Sequence, residues 1–146
     1  MKKSVLTLYF VLGVVSIALG SIYVLSPTFM PYHAMAIGRE WGDLTSAEQV
    51  LFSALLDVAG AGWIAFGVSI ICLTLVPVRR GEAWARYLVP SLAFIFYIPT
   101  LMATLSVLNA TAASPPWWGN IIALTAALTA FLMDRPFSSN RQAGVT

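Results

Sequence analysis

Apolar residues fill four long stretches of this chain, Val5 to Leu25, Val50 to Val76, Tyr87 to Leu108 and Trp117 to Met133, with the polar residues gathered between them. A helix needs about 20 residues to cross a hydrocarbon layer about 30 Å thick. Each stretch is close to that length or above it, so the pattern predicts an all-α protein, an integral membrane four-helix bundle. Within each span, small and polar residues recur at helical spacing. At about 100° per residue, Gln49, Ser53, Asp57, Gly60, Ile64, Gly67 and Ile71 fall within about 40° of one line. Tyr9, Gly13, Ser16 and Gly20 form a stripe on the first span, Ala93, Tyr97, Thr100 and Thr104 on the third, and Asn120, Ala123 and Ala127 on the fourth. Such stripes are expected to face the bundle, because lipid penalises polar groups and small residues let helices approach closely. Their most polar members, Gln49, Asp57 and Asn120, all fall in the outer half and also fit a cavity open to that side.

Capping signals sharpen the boundaries. Thr45-Ser46-Ala47-Glu48-Gln49 offers two overlapping capping boxes at the start of the second span, Thr45 with Glu48 and Ser46 with Gln49. Pro77 is expected to end that span, and Pro90 and Pro99 to kink the third. The segment from Ser26 to Ser46 exceeds the 12 to 15 residues or so beyond which a structureless loop is unusual. Pro31 at a first helical position and Gly38 just past the end predict a short interfacial helix in this outer loop, with Arg39-Glu40-Trp41-Gly42-Asp43 as an anchored turn. Its position lets His33 approach Asp57 or Gln49.

Composition narrows the class. Of 146 residues, 59% are hydrophobic and 10% charged, against roughly 25% charged in a soluble domain. A water-soluble globule and a disordered chain are both excluded. Cys72 is the only cysteine, which removes intrachain disulfides, thiol redox pairs and cysteine-rich metal sites. Short linkers leave a single membrane domain over residues 1–146. Basic residues are retained on the cytoplasmic side, and Lys2, Lys3, Arg79, Arg80, Arg86, Arg135 and Arg141 all fall on one side, with only Arg39 opposite. Both termini are therefore expected in the cytoplasm. Trp41, Trp117 and Trp118 mark the outer interface and Trp84 the inner one. Lys2-Lys3 before an apolar run ending near Ala18-Leu19-Gly20 resembles a signal peptide, but the run continues to Leu25, long for an apolar signal region of about 7 to 15 residues. The expectation is an uncleaved first span.

Asp57 is the only charged residue inside a predicted span, which makes it the first candidate for function. The 19 residues from Asp57 to Val76 cover about 28 Å at about 1.5 Å each, nearly the hydrocarbon thickness. Asp57 is thus expected near the outer boundary, not at the midplane. A histidine beside a carboxylate is the minimal acid/base kit, and His33 with Asp57 are the catalytic candidates, with Glu40, Asp43 and Glu48 nearby. Tyr32, His33, Gln49, Ser53, Asp57, Tyr97 and Asn120 are the candidate ligand-binding residues.

Other chemistries lack a signature. One histidine with Glu40, Asp43 and Glu48 has no metal-ligand spacing, and no Walker, Rossmann or nucleophile-elbow motif occurs. No metal or cofactor is predicted. Arg79, Arg80 and Arg86 beside Trp84 read as anionic-lipid contacts, not as a nucleic-acid surface. Membrane lipids are the expected partners, with a membrane-protein partner or a homo-oligomer as protein-level alternatives. Transport requires polar groups across the midplane, and below Asp57 no charge follows until the inner loop.

Leu25-Ser26-Pro27 closing the first span, a short outer amphipathic element, a glycine-rich second span and Arg-Arg-Gly-Glu-Ala-Trp-Ala-Arg from Arg79 to Arg86 resemble small bacterial four-helix membrane proteins of the DoxX-like type. The likeness implies a bacterial plasma (inner) membrane location and a bundle architecture, and carries over no catalytic residue. The leading functional expectation is a non-enzymatic membrane protein, an accessory subunit or a binder of a small apolar or lipid-like molecule through an outward polar mouth. The alternatives are a membrane-embedded acid/base enzyme on a lipid or quinone-like substrate, using His33 and Asp57, and a small oligomeric transporter or channel.

Overall fold

The computed structural model describes residues 3–134. It contains α1 (Lys3–Leu25), α2 (Pro31–Ile37), a 3-10 turn (Trp41–Asp43), α3 (Ser46–Leu73) continued by a π-helical turn (Thr74–Val78), α4 (Ala83–Ala110) and α5 (Trp117–Asp134). No strand occurs among the described residues. α1, α3 with its π turn, α4 and α5 are each long and apolar enough to cross a membrane. The chain is an all-α, multi-pass membrane protein. The basic residues at 135 and 141, and Lys2, lie outside the described residues.

The helix ends follow local chemistry. Thr45 caps α3: its hydroxyl accepts the Glu48 N–H at 3.3 Å, and the Glu48 carboxylate accepts the Thr45 N–H at 2.8 Å. The competing box does not form, because Ser46 is already helical and the Gln49 amide turns away to the Trp41 carbonyl, 3.0 Å off. Gly38, at φ 68°, closes α2 in the left-handed conformation that glycine adopts without a Cβ clash. Pro77 does not end α3 as expected. Its missing N–H and ring bulk are accommodated by widening the turn, so that the Arg79 N–H reaches the Thr74 carbonyl at 3.1 Å and the Glu82 N–H the Pro77 carbonyl at 3.0 Å, each five residues back. α4 is one helix through both Pro90 and Pro99.

Going round the bundle the order is α3, α1, α5, α4, with α1 packed along the length of α3. Glycines set that contact. A Cβ on Gly67 would lie 2.5 Å from the Gly13 carbonyl oxygen, and one on Gly20 2.5 Å from the Gly60 carbonyl oxygen. Both pairs of numbers sum to 80, so residue n of antiparallel α1 stands level with residue 80 minus n of α3. α3 therefore overshoots the end of α1 at Leu25 by its residues 46–54. Against this overshoot Phe29, Ala34, Leu44 and Leu56 build a cap with Trp41 and Phe52.

The opposite end of the bundle, where Arg79, Arg80 and Arg86 lie, is tightly packed. Val5, Tyr9, Ile70, Val78, Val89 and Ala130 share one buried cluster there. Arg86, expected from the sequence to contact lipid, is instead committed within the protein. Its Nε donates to the Asp134 carboxylate at 2.6 Å and its Nη2 to the Asp134 carbonyl at 2.8 Å, joining α4 to α5. At mid-height α3 meets α4 mainly through rings: Phe66 stacks on Phe96 with centroids 4.3 Å apart, and Trp63 sets its edge against Phe96 at 4.7 Å.

Candidate functional site

Towards the capped end the bundle opens. α1 and α5, joined near the basic end through the Tyr9 and Ala130 cluster, leave between them and α4 a cavity of about 350 Å³. That volume lies at the lower end of the range of about 300 to 1,000 Å³ typical of small-molecule sites. Its floor is formed by Leu12, Tyr97 and Ala123 of the second buried cluster. Val11, Val15 and Leu19 of α1 and Trp118 and Ile122 of α5 form the rim. Rim residues are exposed, Val11 by 50% and Ile122 by 61%. The opening therefore faces sideways, into the layer that acyl chains occupy.

Polar groups line the far wall, on α4 and α5. The Tyr97 and Ser16 hydroxyls share a hydrogen bond of 2.9 Å across the bundle, and Ser16 also donates to its own helix at the Leu12 carbonyl, 2.7 Å away. With the Ser16 proton placed there, Tyr97 is the donor between the two hydroxyls. Thr100 donates to the Phe96 carbonyl at 2.7 Å, and Thr104 to the Leu101 carbonyl at 2.9 Å. Asn120, only 6% exposed, donates its amide N–H to the Thr104 oxygen at 3.4 Å. Tyr32 of α2 reaches the cavity from the cap and is hydrogen-bonded to Tyr23 of α1.

A second, smaller cavity of about 310 Å³ lies under the cap, against Phe52, Leu56, Ala59 and His33. Tyr23 and Trp63 line both cavities. His33 belongs to the cap itself. Its Nδ1 accepts the Met30 N–H at 3.2 Å, and its ring packs 4.2 Å from Tyr32 and edge-on to Phe29 at 6.2 Å. Burial holds its pKa below the ordinary imidazole value. Burial, and then the hydrogen bond to Tyr23, raise the Tyr32 phenol above its ordinary value. Both rings are thus neutral near physiological pH.

The structure separates residues that the sequence placed together. Asp57 is exposed, so it does not face the bundle as its stripe implied. The contact with α1 takes Gly60, Ile64, Gly67 and Ile71 of that stripe, and Asp57 lies beyond it, level with the last turn of α1. His33 packs on the α3 face carrying Phe52, Leu56 and Ala59, roughly 100 to 160° round the helix from Asp57. Among the described residues no hydrogen bond or ion pair joins His33 to Asp57. By the glycine register Asp57 stands level with Tyr23, two residues from the end of α1. Gln49 is occupied in tying the 3-10 turn to α3, and Ser53 is half-buried outside both cavities. Tyr32, Tyr97 and Asn120 do converge on the larger cavity, and His33 lines the smaller one.

Sequence reasoning did not single out Tyr23 or Trp63. Trp63 carried a usable signal: it is the one tryptophan in the middle of a span, away from the interfaces where this residue usually anchors. Glu40, Asp43 and Glu48 are bound to local structure, Glu48 to Arg39 at 2.6 Å and Asp43 to the Glu40 N–H at 3.2 Å. Among the described residues no cluster of histidine, cysteine and carboxylate side chains could hold a metal ion. No family model matches the chain, and no curated protein or solved structure matches it either.

Proposed function

We propose that this protein binds a small apolar, lipid-like molecule that enters sideways from the membrane into the cavity between α1, α4 and α5. The observation that carries this reading is the shape and wall of that cavity: an apolar rim exposed at acyl-chain level, leading to buried polar groups at Tyr97 and Asn120 with half-buried Thr104 between them and the opening. A cavity whose only task was helix packing would be filled by its neighbours, as the basic end of the same bundle is. The acid/base alternative asked for His33 beside Asp57, but His33 of α2 packs on a different face of α3 from the one that carries Asp57. Binding without chemistry is the reading the geometry favours.

The setting is a bacterial plasma membrane, as the DoxX-like resemblance implies, with both termini cytoplasmic as the bias of basic residues requires. The cavity then serves the outer leaflet. Native mass spectrometry of the protein released from mild detergent tests the reading. A retained adduct of lipid-like mass is expected, lost when Ala123→Phe fills the cavity floor. A wild-type protein that is always bare would defeat it.

A further inference from the structure

The polar wall of the cavity constrains its ligand further, and this step rests on the binding reading above. Tyr23, Tyr32, Tyr97, Thr100, Thr104 and Asn120 are the hydroxyl and amide residues in the lining, and no lysine, arginine, aspartate, glutamate or histidine lines it among the described residues. A buried ionic headgroup would find no counter-charge there, and burying an unpaired ion costs several kcal/mol or more. The head of the ligand is therefore uncharged.

Proton bookkeeping then says which neutral group fits. Thr100 and Thr104 donate their hydroxyl protons to carbonyls of their own helix, so towards the cavity they offer lone pairs only. Because the Thr104 proton is already placed, Asn120 must turn its amide N–H towards the Thr104 oxygen, which leaves its carbonyl oxygen for the cavity. Asn120 is more than nine-tenths buried, and a single long hydrogen bond leaves most of its capacity unused. This corner of the wall sets acceptor oxygens on Thr100, Thr104 and Asn120 against the one remaining Asn120 N–H, so it suits a hydroxyl that donates.

We infer that the ligand is an uncharged lipid alcohol, its hydroxyl donating to the Asn120 and Thr104 corner and its chain leaving between α1 and α5. Octadecanol, octadecanoate and octadecyltrimethylammonium form a matched probe set with neutral, anionic and cationic heads. Offered together to the purified full-length protein in neutral detergent and read by native mass spectrometry, octadecanol should be retained at least about tenfold over either ion. Asn120→Leu should lower the octadecanol adduct about tenfold, the usual scale for one lost buried hydrogen bond. Thr104→Val, which keeps volume and helix contacts, should lower it in the same direction if the leucine variant does not fold. An ion retained as well as the alcohol would overturn the headgroup assignment while leaving the binding reading in place. Retention unchanged in a folded Asn120→Leu and in Thr104→Val would also overturn it. Retention of none of the three by wild-type protein would count against the binding reading itself.

Discussion

Gly20 of α1 and Gly60 of α3 approach so closely that a methyl group on Gly20 would stand 2.5 Å from the Gly60 carbonyl oxygen. The clash is with backbone, which cannot step aside as a flexible side chain can. Gly20→Ala and Gly67→Ala should each push the helices apart and destabilise the bundle by about 1 to 3 kcal/mol. Gly62→Ala, where a Cβ meets open space, should leave stability unchanged or raise it slightly through helix propensity. Unfolding in mixed micelles at increasing dodecyl sulfate fraction would order the three.

The Arg86 and Asp134 pair closes the basic end between α4 and α5, with side-chain exposures of 16% and 6%. Removing one partner strands the other in a poorly hydrated place. Asp134→Ala should cost about 3 kcal/mol. The double variant Arg86→Leu with Asp134→Leu should cost clearly less than the two single changes added together. A double-mutant cycle on unfolding free energy measures the coupling, and strict additivity would show that the pair is not a unit.

His33 is the only histidine, so its titration can be followed without assignment. Burial holds its folded pKa below the ordinary 6.5, which means that an unfolded cap takes up the proton first. The cap is at full stability above 6.5 and loses stability as pH falls through that value and on through the lower folded one. Trp41, packed 5.1 Å from Phe29, should report this as a fluorescence change on acidification. His33→Gln should remove the part of the pH dependence that sets in at 6.5, leaving the more acidic loss that comes from Glu48 beside Arg39, and an imidazole resonance titrating at or above 6.5 would contradict the buried placement.

Asp57 is exposed and level with Tyr23 near the end of α1. Among the described residues no hydrogen bond or ion pair holds its carboxylate to the rest of the bundle. Asp57→Asn should change unfolding free energy by less than about 0.5 kcal/mol and leave ligand retention at the wild-type level. A loss of retention would return Asp57 to the functional site and require a different packing of α3.

Much of the fold could be read without coordinates. Pro31 and Gly38 bracket a seven-residue helix that forms where expected, and Thr45 with Glu48 fixes the start of α3. Local signals of this kind survive because caps and glycine conformations are decided within a few residues. The stripes were legible in part. Tyr9, Gly13, Ser16 and Gly20 are all buried, as are Asn120, Ala123 and Ala127, but the stripe on α3 outruns its partner, and which of its members meet α1 depends on where α1 ends against it, which periodicity does not name. Arg86 and Asp134, 48 residues apart in sequence, meet only because α4 and α5 are antiparallel neighbours.

The sequence by itself determined the membrane class, the four spans and the cap helix, since each follows from hydrophobic length or local hydrogen bonding. Tertiary structure decided which groups share a space. Packing of α1 on α3 stops short of Asp57 and leaves it exposed, on a face of α3 away from His33. The spreading of α1 from α5 towards the cap opened the cavity in which Tyr97, Thr104 and Asn120 converge. Rotation about a helix axis and divergence between helices are set by the fit of surfaces distant in sequence, and no pattern along one chain segment records them.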